Sequence, residues 1–281
     1  MDRKLIIFDL DGTVLPKVKL LDDRTVNAVR AATEAGHIAI CSSARPFRMF
    51  RWVYDRMGLD TAISTLNGAH VYHPSADDFP VYECYIPAEY VHQILELCAE
   101  CHCEPFYVER KDTLWYTDGR HNGYYKEHIA TAEPLIKMDA ASLPDTDASR
   151  IILTPPDRET ADRISRLVSS FSNVAFTTWD FVPKNSESSV GIRMSISPAS
   201  ASKWHALQLI AGYYGIPNED CYAFGDMWND FEMIRNAGHG YAMKNSDAEL
   251  NSGARNITRF DCAGCGVADV IEREILGLKG Q

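Results

Sequence analysis

Short apolar runs alternate with stretches of helical period at both ends of the chain. Leu5-Ile6-Ile7-Phe8 is apolar without interruption and reads as a buried strand. Asp22 and Asp23 then offer caps for a helix carrying Val26, Val29, Ala32 and Thr33 on one face, closed by Gly36. His37-Ile38-Ala39-Ile40-Cys41 predicts the next strand. A second helix follows with Phe47, Phe50, Val53, Tyr54 and Met57, stopped by Gly58. A short strand near Ala62-Ile63-Ser64 leads into Asn67-Gly68, a hairpin-type turn signal, with Ala69-His70-Val71-Tyr72 beyond it. The pattern returns at Lys203 with a helix holding Trp204, Leu207, Ile210, Ala211 and Tyr214 on one side and ending near Gly215. The strands Cys221-Tyr222-Ala223-Phe224 and Gly240-Tyr241-Ala242-Met243 come next, then a polar helix-like segment. Such βαβ succession argues for a parallel sheet with crossover helices.

The middle of the chain reads differently. Aromatic strand-like runs, among them Leu114-Trp115-Tyr116 and Val174-Ala175-Phe176-Thr177-Thr178-Trp179, alternate with two amphipathic helices. One helix carries Val91, Ile94, Leu95 and Cys98, the other Ala161, Ile164, Leu167, Val168 and Phe171. Prolines 80, 87, 144, 155 and 156 interrupt this region, and no internal repeat is present. The expected organisation is a core built from residues 1–80 and 197–281, with a smaller α+β domain inserted as residues 81–196.

Composition is compatible with this division. At 281 residues and 46% hydrophobic content the chain can bury a substantial core, and its length favours two domains. No run resembles a membrane span or a secretory leader, since the first apolar segment is a strand's length and is cut short by Asp9; a soluble, cytoplasmic chain is expected. A formal charge of -11 argues against an extended contact with nucleic-acid backbone but permits a small phosphorylated ligand screened by a cation. Of the eight cysteines, Cys98, Cys101 and Cys103 cluster on one segment and Cys262 and Cys265 on another. A zinc site joining them is one reading, and free thiols in a reducing cytosol the simpler one.

The candidate chemistry sits where predicted strands end. Asp9 and Asp11 lie one residue apart directly after the first strand, at the carboxyl edge where α/β sheets keep their ligand crevice. Alternate positions on extended chain point the same way, so the two carboxylates can converge; close together they call for a cation or a shared proton. A solvated Asp-Gly turn is the bland alternative. The second strand ends in Ser42-Ser43-Ala44-Arg45-Pro46, another delivers Gly225-Asp226-Met227-Trp228-Asn229-Asp230, and a third ends in Lys244-Asn245. Taken singly, Ser43 could be a helix cap, Asn229 a turn former and Lys203 a solvated residue of a first helical turn.

In this order and spacing the set resembles the haloacid dehalogenase (HAD) superfamily, and within it the Cof-type phosphatases that carry an α/β cap of class IIB. The residues that match are Asp9-Leu10-Asp11-Gly12-Thr13, Ser43, Lys203 and Gly225-Asp226 through Asn229-Asp230; Asn67-Gly68-Ala69 and Asn245 are similar to further elements of such chains. The resemblance implies an α/β fold, with a Rossmann-like parallel-sheet core and the inserted domain as a cap governing substrate choice. It also implies a magnesium-dependent phosphatase acting on a small phosphorylated metabolite, a sugar phosphate or similar compound. Asp9 would be the nucleophile forming an aspartyl-phosphate, and Asp11 the proton donor and acceptor. Ser43, Lys203 and Asn229 would hold the phosphoryl group. Asp9, the backbone carbonyl of Asp11, Asp226 and Asp230 would surround the metal, with Asp230 either a ligand or a partner behind the ligands. Arg45, Asn67 and Asn245 are candidate substrate or loop contacts. Arg110, Lys111, Trp115, Tyr116, Trp179, Lys184 and Arg193 are candidates in the inserted domain. Two departures stand out: Ala44 replaces the usual glycine of the second motif, and Met227-Trp228 fills the fourth. A phosphomutase is the alternative enzyme, and a non-catalytic phosphate-binding or phosphoaspartate signalling module the alternative of another class.

Overall fold

The computed structural model describes residues 3–17, 19–103, 106–117, 126, 129–138, 144–181 and 191–278. One compact unit consists of Met1–Arg45, Phe50–Tyr82 and Ser202–Gln281, and the other of Pro46–Met49 with Glu83–Ala201. In chain order β1 (Leu5–Phe8), α1 (Asp23–Glu34), β2 (Ile38–Cys41), α2 (Phe47–Met57), β3 (Ile63–Thr65), β4 (His70–Tyr72) and β5 (Tyr82–Glu83) come first. They are followed by α3 (Ala88–Glu100), β6 (Phe106–Arg110), β7 (Thr113–Tyr116), β8 (Leu135–Lys137), β9 (Arg150–Leu153), α4 (Arg158–Ser169), β10 (Val174–Phe181) and β11 (Gly191–Pro198). The chain closes with α5 (Lys203–Tyr214), β12 (Cys221–Gly225), α6 (Phe231–Asn236), β13 (His239–Ala242), α7 (Ala248–Gly253), β14 (Asn256–Ile257) and α8 (Gly266–Val270). Among the described residues no helix is long and apolar enough to cross a membrane.

The first unit is organised by a five-stranded sheet in the order β14-β13-β12-β1-β2. All its pairings are parallel, with Leu5 opposite Cys221 on one side and Ile38 on the other. Leu5 and Ile7 share a cluster with Ile38, Ile40, Ala206, Leu207, Ile210 and Met233. Ile6 and Phe8 face the other way and are equally buried. Both faces of β1 are covered, which is why its sequence is apolar without alternation. Parallel strands also place their carboxyl ends on one edge, so the residues after β1, β2, β12 and β13 meet there.

Helix boundaries follow local chemistry. Asp22 accepts from the amide of Arg24 at 2.8 Å and starts α1. Gly215, at φ 66°, ends α5 in a left-handed cap. The Asn67-Gly68 signal is a hairpin: β3 and β4 pair antiparallel, Thr65 opposite His70. Its tip is tighter than the sequence implies, with Leu66, Asn67 and Gly68 all at positive φ.

The second unit carries a six-stranded sheet, β10-β11-β9-β6-β7-β8, antiparallel except where β7 meets β8. Along β11, Ile192, Met194 and Ile196 alternate inward. They join Val91, Ile94 and Leu95 of α3 and Ala161, Ile164 and Val168 of α4 in one core. The two expected helices and the strands at β7 and β10 are present, and β6, β8, β9 and β11 complete the sheet.

The zinc reading of the cysteines is corrected here. The amide of Cys103 donates to the carbonyl of Cys98 at 2.9 Å across His102, which sits at φ 54°. This helix-terminating closure turns both side chains into the core of the second unit. All eight thiols are free. Among the described residues, the one group of His, Cys, Asp or Glu able to share a metal ion is Asp9, Asp226 and Asp230.

His37 carries a pH prediction. Its Nδ1 accepts the amide of Lys4 at 3.1 Å, the ring is buried, and Nε2 has no partner among the described residues. Burial, reinforced by Lys4, lowers its pKa below the ordinary 6.5. The native state therefore binds this proton less readily than the unfolded chain. Stability is full above about pH 6.5 and falls as the pH drops through that value. Urea midpoints measured from pH 8 to 5 should fall less steeply in His37→Gln than in the parent; equal slopes would reject the assignment.

Candidate active site

Asp9 follows β1 and extends its ladder, its amide donating to the carbonyl of Phe224 at 3.0 Å. The chain then turns through Gly12, whose amide donates to the carbonyl of Leu15 at 3.0 Å. Gly12 lies at φ 79°, and a Cβ there would fall 2.1 Å from Oδ2 of Asp226. The glycine thus serves a close approach as well as a turn: it leaves the space that the Asp226 carboxylate fills. The other carboxylate oxygen of Asp226 accepts from the Thr13 hydroxyl at 3.2 Å.

Lys203 is the first residue of α5 and is 1% exposed. Its helix is started by Ser202, whose Oγ accepts the amides of Trp204 and His205 at 3.2 and 3.3 Å. The Lys203 ammonium donates to Oδ1 of Asp9 at 2.6 Å and to Oδ1 of Asp230 at 2.5 Å. The remaining oxygen of Asp230 accepts the amides of Asp226 and Met227 at 3.1 and 3.2 Å. Asp230 therefore ties the lysine to the loop that presents Asp226. Gly225 permits this, since a Cβ there would lie 2.3 Å from the Asp230 side chain.

Three carboxylates and one ammonium, all buried, leave an excess of negative charge. Burial pushes Asp9 up to about 8; Lys203 opposes this, while Asp230 and Asp226 add to it. Asp226 is pushed up to about 6, by burial first and then by Asp230. Burial disfavours the Lys203 ammonium, yet Asp230 and Asp9 outweigh it and its pKa is raised. Ligand oxygens of Asp9, Asp226 and Asp230 lie within 4.8 Å of one another. An all-oxygen set with surplus negative charge fits a hard divalent cation of the magnesium type.

Asp11 occupies a different environment. Its carboxylate receives two bonds from the fully buried Arg45, one from Nε at 2.7 Å and one from Nη2. The two acids of the opening motif thus have separate partners, Lys203 for Asp9 and Arg45 for Asp11. Ser43 is buried, and its Oγ accepts the amide of Arg45 at 3.1 Å. Ala44 is not among the positive-φ residues, so the methyl group there meets no left-handed strain. Asn229 donates to Oδ1 of Asn67 at 2.9 Å. Asn245 is a loop tie: its Nδ2 donates to the carbonyl of Gly12 at 2.8 Å and its Oδ1 accepts the amide of Cys262 at 2.8 Å.

Sequence reasoning gave Thr13 no role at the site, and Gly68 only that of a turn residue. Thr13 is signalled only by its place in the first motif. Gly68, at φ 91°, lies where a Cβ would fall 2.3 Å from the carbonyl oxygen of Ser202. The hairpin tip therefore abuts the start of the helix that holds Lys203. Gly68→Ala is expected to destabilise the fold by about 2 kcal/mol, through left-handed strain and overpacking. Chemical denaturation measures this, and a neutral result would contradict the contact.

The cap candidates Arg110, Lys111, Trp115 and Trp179 all have places in the second unit. The Arg110 guanidinium lies over the Tyr85 ring at 5.1 Å, Lys111 pairs with Glu83, and Trp115 packs against the core. Trp179 is exposed on β10, paired with Arg193 of β11, and Tyr116 packs beside Tyr107. Lys184 lies outside the described residues.

Known proteins resemble this chain in sequence and in fold. A 5-amino-6-(5-phospho-D-ribitylamino)uracil phosphatase of Bacillus subtilis (strain 168) is 28% identical over 246 residues, covering 86% of each chain. A haloacid dehalogenase-like hydrolase from Bacteroides thetaiotaomicron matches in structure with a TM-score of 0.77 at 21% identity, over 97% of this chain and 99% of that one. A HAD subclass IIB sugar phosphatase matches with a TM-score of 0.76 at 18% identity, over 98% and 99%. With the model of the haloacid dehalogenase-like hydrolases matching residues 6–271, nearly the whole chain, the protein belongs to that hydrolase family.

Proposed function

We propose that the chain is a magnesium-dependent phosphatase that hydrolyses a small phosphorylated metabolite through an aspartyl-phosphate on Asp9. The observation that carries this reading is the buried Lys203 ammonium held between Asp9 and Asp230, with Asp226 alongside, at the carboxyl edge of a parallel sheet. A phosphate monoester repels nucleophiles, so its catalyst must neutralise the phosphoryl oxygens and align attack with the leaving oxygen.

Lys203 supplies a fixed positive charge to the phosphoryl group, and Ser43 and Asn229 supply hydrogen bonds. An Asp9 carboxylate oxygen attacks phosphorus as the bond to the leaving alkoxide breaks, and Asp11 gives that alkoxide a proton. Asp11, now a carboxylate, takes a proton from the water that attacks the aspartyl-phosphate, releasing inorganic phosphate and restoring both acids. For the first step the Asp11 side chain turns from Arg45 towards the leaving oxygen. Asp9, the Asp11 carbonyl and Asp226, with Asp230 beside them, would hold the magnesium ion, whose charge offsets that of the phosphoryl oxygens.

The Bacillus relative acts on a ribityl phosphate bearing a uracil ring, which supports a polyol or sugar phosphate as the substrate class. The test is phosphate release from sugar phosphates, nucleotides and pyridoxal phosphate, with magnesium or with chelator. Stoichiometric free phosphate only with magnesium is expected. An isomerised sugar phosphate without release would replace hydrolysis by phosphomutase chemistry, and turnover undiminished by chelator would remove the metal from the reading.

A further inference from the structure

Met227 and Trp228 form the outer part of the turn whose ends are the buried Asp226 and Asp230, yet they are 56% and 49% exposed. The turn is closed by its own hydrogen bonds: Asp230 accepts the amides of Asp226 and Met227, and its own amide donates to the Met227 carbonyl at 2.9 Å. The indole is held from one side: its ring centroid lies 5.0 Å from that of Phe231, with the planes at 57°. The Arg235 guanidinium in turn lies 6.0 Å from the Phe231 centroid. A large aromatic ring thus packs against one neighbour without being buried. Asn229, its neighbour in the chain, donates its amide to Oδ1 of Asn67 at 2.9 Å.

Two residues of chain span at most about 7 Å, so Trp228 stands within a side-chain length of the carboxylates of Asp226 and Asp230. Core packing does not explain an aromatic in this position, since half of it faces solvent. Ligand contact does, because a planar π-face stacks on another.

Resting on the phosphatase reading, we propose that Trp228 is a specificity-determining residue: its exposed face stacks on the leaving alcohol, and the substrates preferred are phosphate monoesters whose alcohol carries a planar nitrogen heterocycle. Met227 flanks the same seat as a polarisable apolar wall.

The test compares kcat/KM for two ring-bearing esters, pyridoxal 5′-phosphate and uridine 5′-monophosphate, with two esters lacking an aromatic ring, glycerol 3-phosphate and erythrose 4-phosphate. Parent, Trp228→Ala and Trp228→Phe enzymes are measured, with thermal melting to verify folding. The ratio of ring-bearing to ringless kcat/KM is expected to fall roughly ten- to a hundredfold in Trp228→Ala, mainly through KM, and to stay near the parent value in Trp228→Phe. Phosphate release with the same ratio in parent and Trp228→Ala overturns this inference and leaves the phosphatase reading standing. No release from any ester overturns the phosphatase reading, and this inference with it.

Discussion

Asp9→Asn is expected to lower kcat for phosphate release by roughly a thousandfold or more, because the amide cannot attack phosphorus and no neighbouring carboxylate can take its place. Asp226 and Asp230 are committed elsewhere, the first to Thr13 and the space beside Gly12, the second to Lys203 and two loop amides. Stability should move the other way. Burial raises Asp9 to about 8, so without a cation the native state binds this proton more tightly than the unfolded chain does. Its contribution is favourable at low pH and is lost as the pH rises from the ordinary carboxylate value of 3.8 through about 8. Asparagine keeps an acceptor for Lys203 and removes the charge. In chelator at pH 8.5 the variant should therefore melt at or above the parent temperature, with the difference shrinking at lower pH. Full activity in Asp9→Asn would end the covalent mechanism.

Lys203→Met is expected to be the most damaging single substitution for the fold of the first unit. It leaves Asp230, 0% exposed, and Asp9, 6% exposed, facing each other without the cation that both bind. Removing one partner of a buried ionic cluster costs about 3–5 kcal/mol. Phosphate release should vanish with it. The double variant Lys203→Met/Asp230→Asn separates charge from shape: it should regain part of the lost urea midpoint while remaining inactive. A double variant no more stable than the single one would show that methionine fails by packing and that the electrostatic account is wrong.

Much of the core could be read in advance because its signals are local. An apolar run cut short by an acid marks a strand end, as at Phe8-Asp9 and Gly225-Asp226. An aspartate before a helical pattern marks a cap, as at Asp22. The parallel sheet that joins these ends follows from the βαβ succession, and the structure contains it. Contacts between distant parts of the chain were not legible. Nothing local to Asp11 announces Arg45 as its partner, and nothing near Gly12 or Gly68 shows that a carboxylate or a carbonyl occupies the place of a side chain. For the cysteines the simpler reading, free thiols, holds: their spacing invites a metal, but the Cys98 to Cys103 interval is set by the closure of a helix. In the second unit, β9 and β11 escaped notice because their inward residues find partners on strands and helices far away in sequence.

The double tether of Lys203 has a consequence for the proposed catalytic cycle. Once Asp9 carries the phosphoryl group, its carboxylate no longer offers the ammonium a full negative charge, while Asp230 still does. A cation moored at one end can pivot without drifting, so Lys203 can follow the charge from the acid to the phosphoryl oxygens and back in every turnover. Asp230 is the mooring, and its exchange for asparagine should slow both halves of the reaction.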